Sequence, residues 1–557
     1  MLCTKKEQER TELHRAIWNI ANDLRGSVDG WDFKQYVLGM LFYRYISENI
    51  TAYINEGERE TGNKAFDYAA ISDEVAEEAR KDLVDTKGFF MLPSELFENV
   101  RCRAEFSKKQ SETQKADESD GDQKNPNFYE NLNEKLECIF KNIESSATGS
   151  KSESTFKGLF DDIDVNSNKL GATVTKRNEM LLKLMNGIAG MKLSYQNSTI
   201  DAFGDTYEYL IGMYASNAGK SGGEYYTPQE VSELLTRIAL GDKKSVNKVY
   251  DPACGSGSLL LQSAKILGKD GVTQGYFGQE INLTTFNICR INMLLHDIGF
   301  DKFDIGHGDT LTAPHLPHFD NEPFEIIVSN PPYSIKWAGD DNPLLINDDR
   351  YSPAGVLAPK SKADMAFIMH SLNWLAENGT ASIVCFPGIL YRGGAEQKIR
   401  KYLVDENYID CVIQLPSNLF FGTSIATCIL VLKKSKTDNS ILFIDASKEF
   451  VKVTNNNKLT VDKPDELGNI GRIVDAYTSR ETTTHPTEIV PSSLVPNDKI
   501  AEQGYNLSVS TYVEQKDKRE AINISELNAE INRIVKRSDV LRREIDIIVV
   551  EIEGATV

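Results

Sequence analysis

The chain has 557 residues, 40% of them hydrophobic and 26% charged, and a formal net charge of −20 at pH 7. Its length suits about three globular domains, and its acidity argues against a protein that grips DNA unaided, although acidity that only confers solubility would look the same. Scattered cysteines without a Cys-x-x-Cys pair, no signal-peptide core and no long apolar run lead us to expect a cytoplasmic protein with no membrane contact.

Helical patterns fill the first third of the chain. One extends over residues 11–26, and a second, with an aromatic stripe, follows Trp31-Asp32. Residues 107–127 are polar and are predicted to form an exposed loop, after which two more helical patterns follow. We therefore predict an all-α N-terminal domain over residues 1–195.

A helix predicted over residues 201–215 leads into a glycine-rich stretch, Gly219-Lys220-Ser221-Gly222-Gly223. A phosphate-binding loop would need a strand before this stretch and a glycine where Tyr214 stands, so we reject that interpretation. The pair Thr227-Pro228, followed by Glu230, instead predicts the start of a helix.

The next stretch has the order strand, glycine turn, helix, which is typical of the first unit of a doubly wound nucleotide-binding sheet. A strand predicted over residues 246–250 runs into Asp251-Pro252-Ala253-Cys254-Gly255-Ser256-Gly257-Ser258. The glycines allow a ligand to approach the backbone closely. Asp251 is placed to meet a cationic amino group rather than a pyrophosphate.

Two further acids stand where successive strands end. Glu280 follows a strand predicted over residues 275–279, at a spacing where an acid commonly binds ribose hydroxyls. Asp309 follows the next unit and could accept a hydrogen bond from an adenine amine. One such acid is often only a helix cap, but three in series, followed by Asn330, favour a binding edge.

The tetrad Asn330-Pro331-Pro332-Tyr333 comes directly after the buried-strand pattern Ile326-Ile327-Val328. Two prolines make this backbone rigid and extended, so the Asn330 side-chain oxygen and the Pro331 carbonyl can both accept hydrogen bonds from an exocyclic NH2 group. Such contacts would aim the nitrogen lone pair at an electrophile such as a sulfonium methyl, while Tyr333 stacks on a base taken out of the duplex. A strand followed by a plain proline-rich turn is the alternative.

Helix and strand patterns alternate after the tetrad. Residues 334–362 form a long polar segment of a kind that is usually functional. Phe420 or Phe421 could sandwich a flipped base against the tetrad's tyrosine, although core packing would account for at least one of them. The pair His315-x-x-His318 is interrupted by Pro317 and has no third ligand in view, so we predict no metal site.

The pattern loosens from residue 486 and ends in a helix with apolar residues three or four positions apart. Such a seam needs a partner helix, in this chain or in another. We therefore predict an α/β domain over residues 196–485 and a helical tail over residues 486–557 that contacts another subunit.

Together these motifs resemble those of S-adenosylmethionine-dependent adenine-N6 DNA methyltransferases, whose catalytic domain is a doubly wound, Rossmann-like sheet. The resemblance rests on Glu224–Gln229, Asp251–Leu260, Glu280, Asp309 and Asn330–Tyr333. In addition, the N-terminal Asp23-Leu24-Arg25-Gly26, Trp31-Asp32-Phe33-Lys34 and Leu41-Phe42-Tyr43-Arg44-Tyr45-Ile46 resemble the helical domain of the modification subunit of type I restriction–modification systems.

The resemblance implies an enzyme that flips an adenine out of a specific double-stranded DNA sequence and methylates its N6 atom with S-adenosylmethionine. Asn330, Pro331, Pro332 and Tyr333 would be catalytic. The residues implied to bind the cofactor are Glu224, Tyr225, Tyr226, Thr227, Pro228, Gln229, Asp251, Gly255, Ser256, Gly257, Ser258, Glu280 and Asp309. Two modification subunits would bind one specificity subunit, which reads the DNA sequence, and a restriction subunit would complete the complex.

Two alternatives stay open. The sequence Asn-Pro-Pro-Tyr also serves protein glutamine N-methyltransferases, whose amide NH2 is similarly unreactive, and a non-catalytic scaffold could keep the cofactor fold. The size of the chain, its helical domain and the long segment after Tyr333 favour DNA as the substrate. The intact Asn330 and Tyr333 favour an enzyme.

Overall fold

The computed structural model describes residues 15, 32–114, 128–191, 204, 206–210, 227–315, 322–420, 424–453, 456–464, 466–483, 490–513 and 524–554. Its internal contacts divide the chain into two units, residues 1–513 and residues 514–557. Apart from Arg15, the helix predicted over residues 11–26 lies outside the described residues.

The first unit begins with a helical part. Its helices are α1 (Asp32–Glu60), α2 (Asp73–Glu77), α3 (Arg80–Lys87), α4 (Phe97–Gln114), α5 (Leu132–Ser146), α6 (Glu153–Phe156) and α7 (Val174–Ala189). The aromatic stripe of α1, including Tyr36, Phe42 and Tyr43, is buried in the core of this part. The aromatic residues of this helix therefore serve to pack the core of the helical part.

The loop predicted from residue 107 is wrong over residues 107–114, which continue α4. This helix is anchored by the buried side chains of Phe97, Val100 and Ala104. The residues that follow are rich in Lys, Gln and Glu, which are strong helix formers. Because the anchored turns remove the cost of starting a helix, a polar stretch can extend it without burying anything.

The second part of this unit is built on strands β1 (Val246–Asp251), β2 (Val272–Glu280), β3 (Phe303–His307), β4 (Phe324–Ser329), β5 (Leu375–Cys385), β6 (Ile409–Gln414), β7 (Cys428–Lys433), β8 (Ser440–Asp445) and β11 (Ser492–Pro496). They form one sheet in the order β11-β8-β6-β7-β5-β4-β1-β2-β3, while β9 (Val451–Val453) and β10 (Asn456–Lys458) form a separate pair. Strands β5, β4, β1, β2 and β3 are mutually parallel. The carboxyl ends of these neighbouring strands therefore meet at one edge.

Helices cover both faces of this sheet. They are α8 (Gln229–Leu240), α9 (Ser258–Leu267), α10 (Leu283–Leu295), α11 (Asp364–Trp374), α12 (Ala395–Asp405) and α13 (Asn469–Ser479). Along β4, Ile326 and Val328 share one core with α8, α9 and α13, whereas Ile327 shares the other core with α11 and α12. A doubly wound α/β sheet beside an all-α part is thus confirmed.

The α/β part extends further along the chain than the boundary predicted at residue 485. Strand β11 pairs antiparallel with β8, and α14 (Asn497–Glu502) and α15 (Val509–Tyr512) follow it. Ile500 and Val509 belong to one of the two sheet cores. The structure therefore places residues 490–513 with the sheet, and the apolar residues here are too widely spaced to show a period.

Helix α10 joins the helical part to the sheet. Its Ile288, Ile291 and Leu295 lie in the core of the helical part, whereas Cys289 and Met293 lie in a sheet core. The buried Arg290 guanidinium donates to the carbonyls of Ser154, Thr155 and Lys157 at 2.9, 3.0 and 3.0 Å. Asp162 also accepts hydrogen bonds from Thr284 and Asn287 on α10. The helical part and the sheet are thus joined by hydrogen bonds as well as by apolar packing.

Among its described residues, the second unit contains one long helix, α16 (Ile524–Gly554), where the sequence pattern predicted a helix at the end of the chain. The apolar residues of its predicted seam are exposed: Leu527, Ile531, Ile534, Leu541, Ile545, Ile548 and Ile552. Across the described ranges, no helix is both long enough and apolar enough to cross a membrane.

Candidate active site

The tetrad begins where β4 ends, and the Asn330 side chain is held at both of its ends. Its Nδ2 atom donates to Thr227 Oγ1 at 3.1 Å, and its Oδ1 atom accepts from the Tyr333 hydroxyl at 2.5 Å. Pro331 is buried, whereas Asn330, Pro332 and Tyr333 are partly exposed. Because the amide is fixed by two different partners, its oxygen has a defined direction.

The turn after the tetrad is fixed by a residue that the sequence analysis did not single out. Ser334 has a positive φ of 51°, and its backbone N–H donates to both carboxylate oxygens of Asp364 at 3.1 Å. Asp364 is 5% exposed and begins α11. An acid in the first turn of a helix is common, so the sequence alone gave no signal of this contact.

Asp251 lies at the carboxyl end of β1, beside β4. Its Oδ1 atom accepts from the Ser329 hydroxyl at 2.8 Å and from the Ala253 N–H at 3.0 Å. Its Oδ2 atom is buried without a hydrogen-bond partner among the described residues. Burial, and to a lesser degree the charge of Glu280, raises the pKa of Asp251 to about 7, against the lowering effect of the two hydrogen bonds. This buried carboxyl therefore keeps one oxygen that can accept a further hydrogen bond.

The glycine turn connects Asp251 to the acid on the next strand. Gly255 and Gly257 have positive φ values of 54° and 81°, and a Cβ on Gly257 would lie 2.8 Å from Cys289 Sγ. The Gly255 N–H donates to Glu280 Oε2 at 3.1 Å. Ser256 and Ser258 are buried within this turn and at the start of α9.

Glu280 ends β2 at the same edge. Besides the Gly255 N–H, it accepts the Asn282 N–H at 2.8 Å. Burial raises the pKa of Glu280, and these backbone N–H groups oppose that shift. The carboxylate thus already has partners that fix its direction toward the glycine turn, and its remaining lone pairs are available to a ligand.

Asp309 lies two residues beyond β3, and both of its oxygens already accept hydrogen bonds. They bind the Leu311 N–H at 3.0 Å and the Thr312 hydroxyl at 2.7 Å. Arg350, from the long segment after the tetrad, donates to the carbonyls of Thr310 and Leu311 at 2.9 and 3.0 Å. The long polar segment is therefore bonded to the turn that carries Asp309.

Of the residues predicted before α8, Glu224, Tyr225 and Tyr226 lie outside the described residues. Thr227 is buried against Asn330, and α8 begins directly after Pro228, where the sequence predicted a helix start. The Gln229 side chain donates to Glu208. Glu208 also binds Lys265, and although burial opposes it, the bonds and charges of His296 and Lys265 hold the pKa of Glu208 at about 2. The Gln229 side chain is therefore hydrogen-bonded to a buried carboxylate of the protein.

The two phenylalanines proposed as stacking partners are not equally placed. Phe420 is 1% exposed, and its ring lies perpendicular to that of Tyr333 with centroids 6.4 Å apart. In this arrangement the Phe420 ring packs against Tyr333 in a T-shaped contact, and its burial leaves no face of Phe420 free for a base. Phe421 lies outside the described residues.

Of the histidine pair, the structure describes His315. The His315 side chain lies 3.3 Å from Asp304, and its backbone N–H donates to Gln279. His318 lies outside the described residues. Among the residues that are described, no group of three or more His, Cys, Asp or Glu side chains could hold a metal ion.

Comparison with known proteins fits this geometry. A family model described as N-6 DNA methylase matches residues 198–521, and one described as HsdM N-terminal domain matches residues 13–188. The methylase subunit of the type I restriction enzyme MpnII from Mycoplasma pneumoniae is 48% identical over 99% of this chain and 98% of its own. The chain belongs to the N-6 DNA methylase family.

One solved structure supports this assignment, and a second shares the fold. The methyltransferase subunit of a type I restriction–modification system from Streptococcus thermophilus is 35% identical, with a TM-score of 0.77 over 91% of this chain and all of that one. A chain from a structure on complex assembly and conformational transition of the type I system shares the fold, with a TM-score of 0.57 at 16% identity. This methylase is thus a DNA adenine methyltransferase of the type I restriction–modification class.

Proposed function

We propose that this methylase transfers the methyl group of S-adenosylmethionine to the N6 atom of an adenine turned out of double-stranded DNA, as the modification subunit of a larger complex. The observation that carries the proposal is the Asn330 amide, which is held by Thr227 and Tyr333 at the carboxyl end of β4. In α/β sheets, ligands bind at this edge. The next strand ends at Asp251, whose carboxyl is bonded to Ser329.

The fit to the cofactor is supported by the free oxygen of Asp251. A buried oxygen without a partner is costly, and the ammonium group of the cofactor's methionine part would donate to it. Glu280 would accept from the ribose and Asp309 from the adenine, while Gly255, Ser256, Gly257, Ser258 and residues 224–229 would border the cofactor. Bound S-adenosylmethionine supplies an electrophilic sulfonium methyl group.

The tetrad would prepare the target nitrogen. The adenine NH2 group would donate to Asn330 Oδ1, which keeps a lone pair beside its bond from Tyr333, and to the Pro331 carbonyl. These two acceptors would pull the amine toward tetrahedral geometry and free its lone pair for the methyl carbon. The cofactor's sulfur would keep the electrons of the broken C–S bond, and the methylated nitrogen would release its proton to water, so no side chain needs to act as a strong base.

Tyr333 would have a second role at the same site. Its partly exposed ring can stack on the flipped adenine, which contributes roughly 1–3 kcal/mol per base in stacked complexes. Phe420 would support the Tyr333 ring through the T-shaped contact between them. The same tyrosine therefore links base stacking to the direction of the Asn330 oxygen through its hydroxyl.

Recognition of the DNA sequence would come from other subunits, and the complex would act in the cytoplasm. The net charge of −20 leaves much of the phosphate contact to another protein, and the exposed apolar seam of α16 can pair with a helix of a specificity subunit. Two modification subunits would bind one specificity subunit, and a restriction subunit would complete the assembly. The relative from Mycoplasma pneumoniae is itself named as a subunit of a type I restriction enzyme.

The test uses the full chain with its specificity subunit, radiolabelled S-adenosylmethionine and DNA carrying that subunit's recognition site. Wild type should place label on adenine N6. Asn330→Ala should bind the cofactor with unchanged affinity and lose at least about 100-fold in methyl transfer, since preorganised polar contacts at a reacting atom are worth that much. Asn63→Ala, an exposed asparagine of the helical part, is the matched control.

Other outcomes decide between the alternatives. Label in protein and never in DNA would favour glutamine methylation, and cofactor binding without label in any substrate would favour a scaffold. Transfer to DNA by the chain without its specificity subunit would show that it reads DNA unaided. Full transfer by Asn330→Ala would remove the role proposed for the amide.

A further inference from the structure

The residue directly after Tyr333 has an unusual backbone conformation. Ser334 has φ of 51°, in the left-handed region that residues with a Cβ seldom adopt. Here the chain turns away from the tetrad into the long segment over residues 334–362. A serine keeps this conformation only when its surroundings stabilise it.

Asp364 supplies that stabilisation. Both of its oxygens lie 3.1 Å from the Ser334 nitrogen, and the neighbouring Ala363 N–H donates to the Ile335 carbonyl at 2.9 Å. Two consecutive residues after the tetrad are therefore bonded to the start of α11. Asp364 is 5% exposed whereas Ser334 is exposed, so these bonds are partly shielded from competing water.

We propose that Asp364 is a positioning residue for methyl transfer: it holds Ser334 in the left-handed conformation and so fixes Tyr333, whose hydroxyl in turn fixes the Asn330 oxygen. This inference rests on the proposed role of Asn330 and Tyr333 and adds a residue outside the tetrad. Asp364 would act through Ser334 and Tyr333 rather than on the reacting atoms, so its loss should affect the chemical step and leave cofactor binding unchanged.

Asn at position 364 keeps the size of the side chain but replaces one acceptor oxygen with an NH2 donor. One of the two contacts to the Ser334 N–H is then lost, and the left-handed turn is no longer favoured over extended conformations. A glycine at position 334 adopts positive φ without a Cβ clash. It should therefore restore the turn even when Asp364 is replaced.

The experiment measures Asp364→Asn, Ser334→Gly and the double variant in the complex with the specificity subunit and its recognition-site DNA. The readouts are kcat, the KM for DNA, the cofactor Kd and the fluorescence of 2-aminopurine placed at the target base, which reports stacking. We expect Asp364→Asn to lower kcat about 10-fold, the factor that corresponds to about 1.4 kcal/mol. The cofactor Kd should not change, and the 2-aminopurine signal should indicate weaker stacking.

Rescue separates positioning from loss of stability. The double variant should recover kcat to within about threefold of wild type, because glycine removes the need for the carboxylate. The matched control combines Asp364→Asn with Asp297→Gly, since Asp297 is an exposed residue with φ of 59° after α10. This control should not recover kcat.

Three results would overturn the inference: an unchanged kcat in Asp364→Asn, no rescue by Ser334→Gly, or equal rescue by Asp297→Gly. None of them bears on the proposed function, which wild type tests in the same assay by methylating adenine. If wild type labels no adenine, the proposed function fails first, and the inference fails with it.

Discussion

Asp251 makes cofactor binding depend on pH in a way that can be calculated. Its pKa is raised to about 7 by burial and by the charge of Glu280, and its free Oδ2 atom is the proposed acceptor for the cofactor's ammonium group. Only the ionised carboxylate can form that ion pair. The affinity for S-adenosylmethionine should therefore rise as pH rises through this pKa.

The expected size follows from the ionised fraction. With a pKa of about 7, about a tenth of Asp251 is ionised at pH 6 and about three quarters at pH 7.5, so the affinity should increase about eightfold over this range. An α-amino group with a pKa near 8 is still about three quarters protonated at pH 7.5, which reduces the expected increase to about sixfold. Isothermal titration calorimetry in buffers of different ionisation enthalpy would measure both the affinity and the accompanying proton release.

Asp251→Asn is the control, since it cannot ionise and should bind weakly with little pH dependence. The reasoning would be refuted if the wild-type affinity for the cofactor did not change between pH 6 and 7.5. It would also be refuted if the affinity of Asp251→Asn changed with pH as much as that of wild type. The cofactor-free protein gives an independent check. Between about pH 4 and 7 the folded state keeps a proton on Asp251 that the unfolded chain has released, so the free energy of unfolding relative to Asp251→Asn should fall as pH rises.

Two further substitutions test the remaining acids of the edge. Glu280→Ala should raise the cofactor Kd about 10-fold or more, because a charged acceptor is lost, and should affect kcat at saturating cofactor less. The control is Glu377→Ala, at an exposed position. An unchanged cofactor Kd for Glu280→Ala in equilibrium dialysis would contradict the role of Glu280. Arg350→Met removes the donors to two buried carbonyls of the Asp309 turn and should lower both the thermal midpoint and cofactor affinity. Exposed Lys360→Met should change neither, and a fall in the midpoint without a fall in affinity would disprove the link to Asp309.

The sequence predicted the strands that carry the edge because their signals are local. Ile326-Ile327-Val328 before two prolines, and Val246–Tyr250 before a glycine turn, each indicate a buried strand that ends abruptly. The parallel order of β4, β1 and β2 then brings Asn330, Asp251 and Glu280 to one edge. The helix start at Thr227-Pro228 follows from the same kind of local chemistry.

Features that depend on distant partners were not predictable. The contacts between Asp364 and Ser334, and between Arg350 and the Asp309 turn, join positions that no local period connects. The burial of Phe420 is likewise decided by the surrounding core rather than by its own neighbours in sequence. Strand β11 was missed for a similar reason, since its five residues become a strand only by pairing with β8.

Helix α10 belongs to two hydrophobic cores at once, which limits how this protein can be divided. A recombinant fragment containing only the sheet would expose Ile288, Ile291 and Leu295 and deprive Arg290 of its three carbonyl acceptors. Each such apolar side chain contributes roughly 1.5–3 kcal/mol when buried, so their joint loss approaches the whole stability of a typical domain, about 5–15 kcal/mol. The methyltransferase sheet is therefore not expected to fold stably by itself, and any engineered fusion must include the helical part.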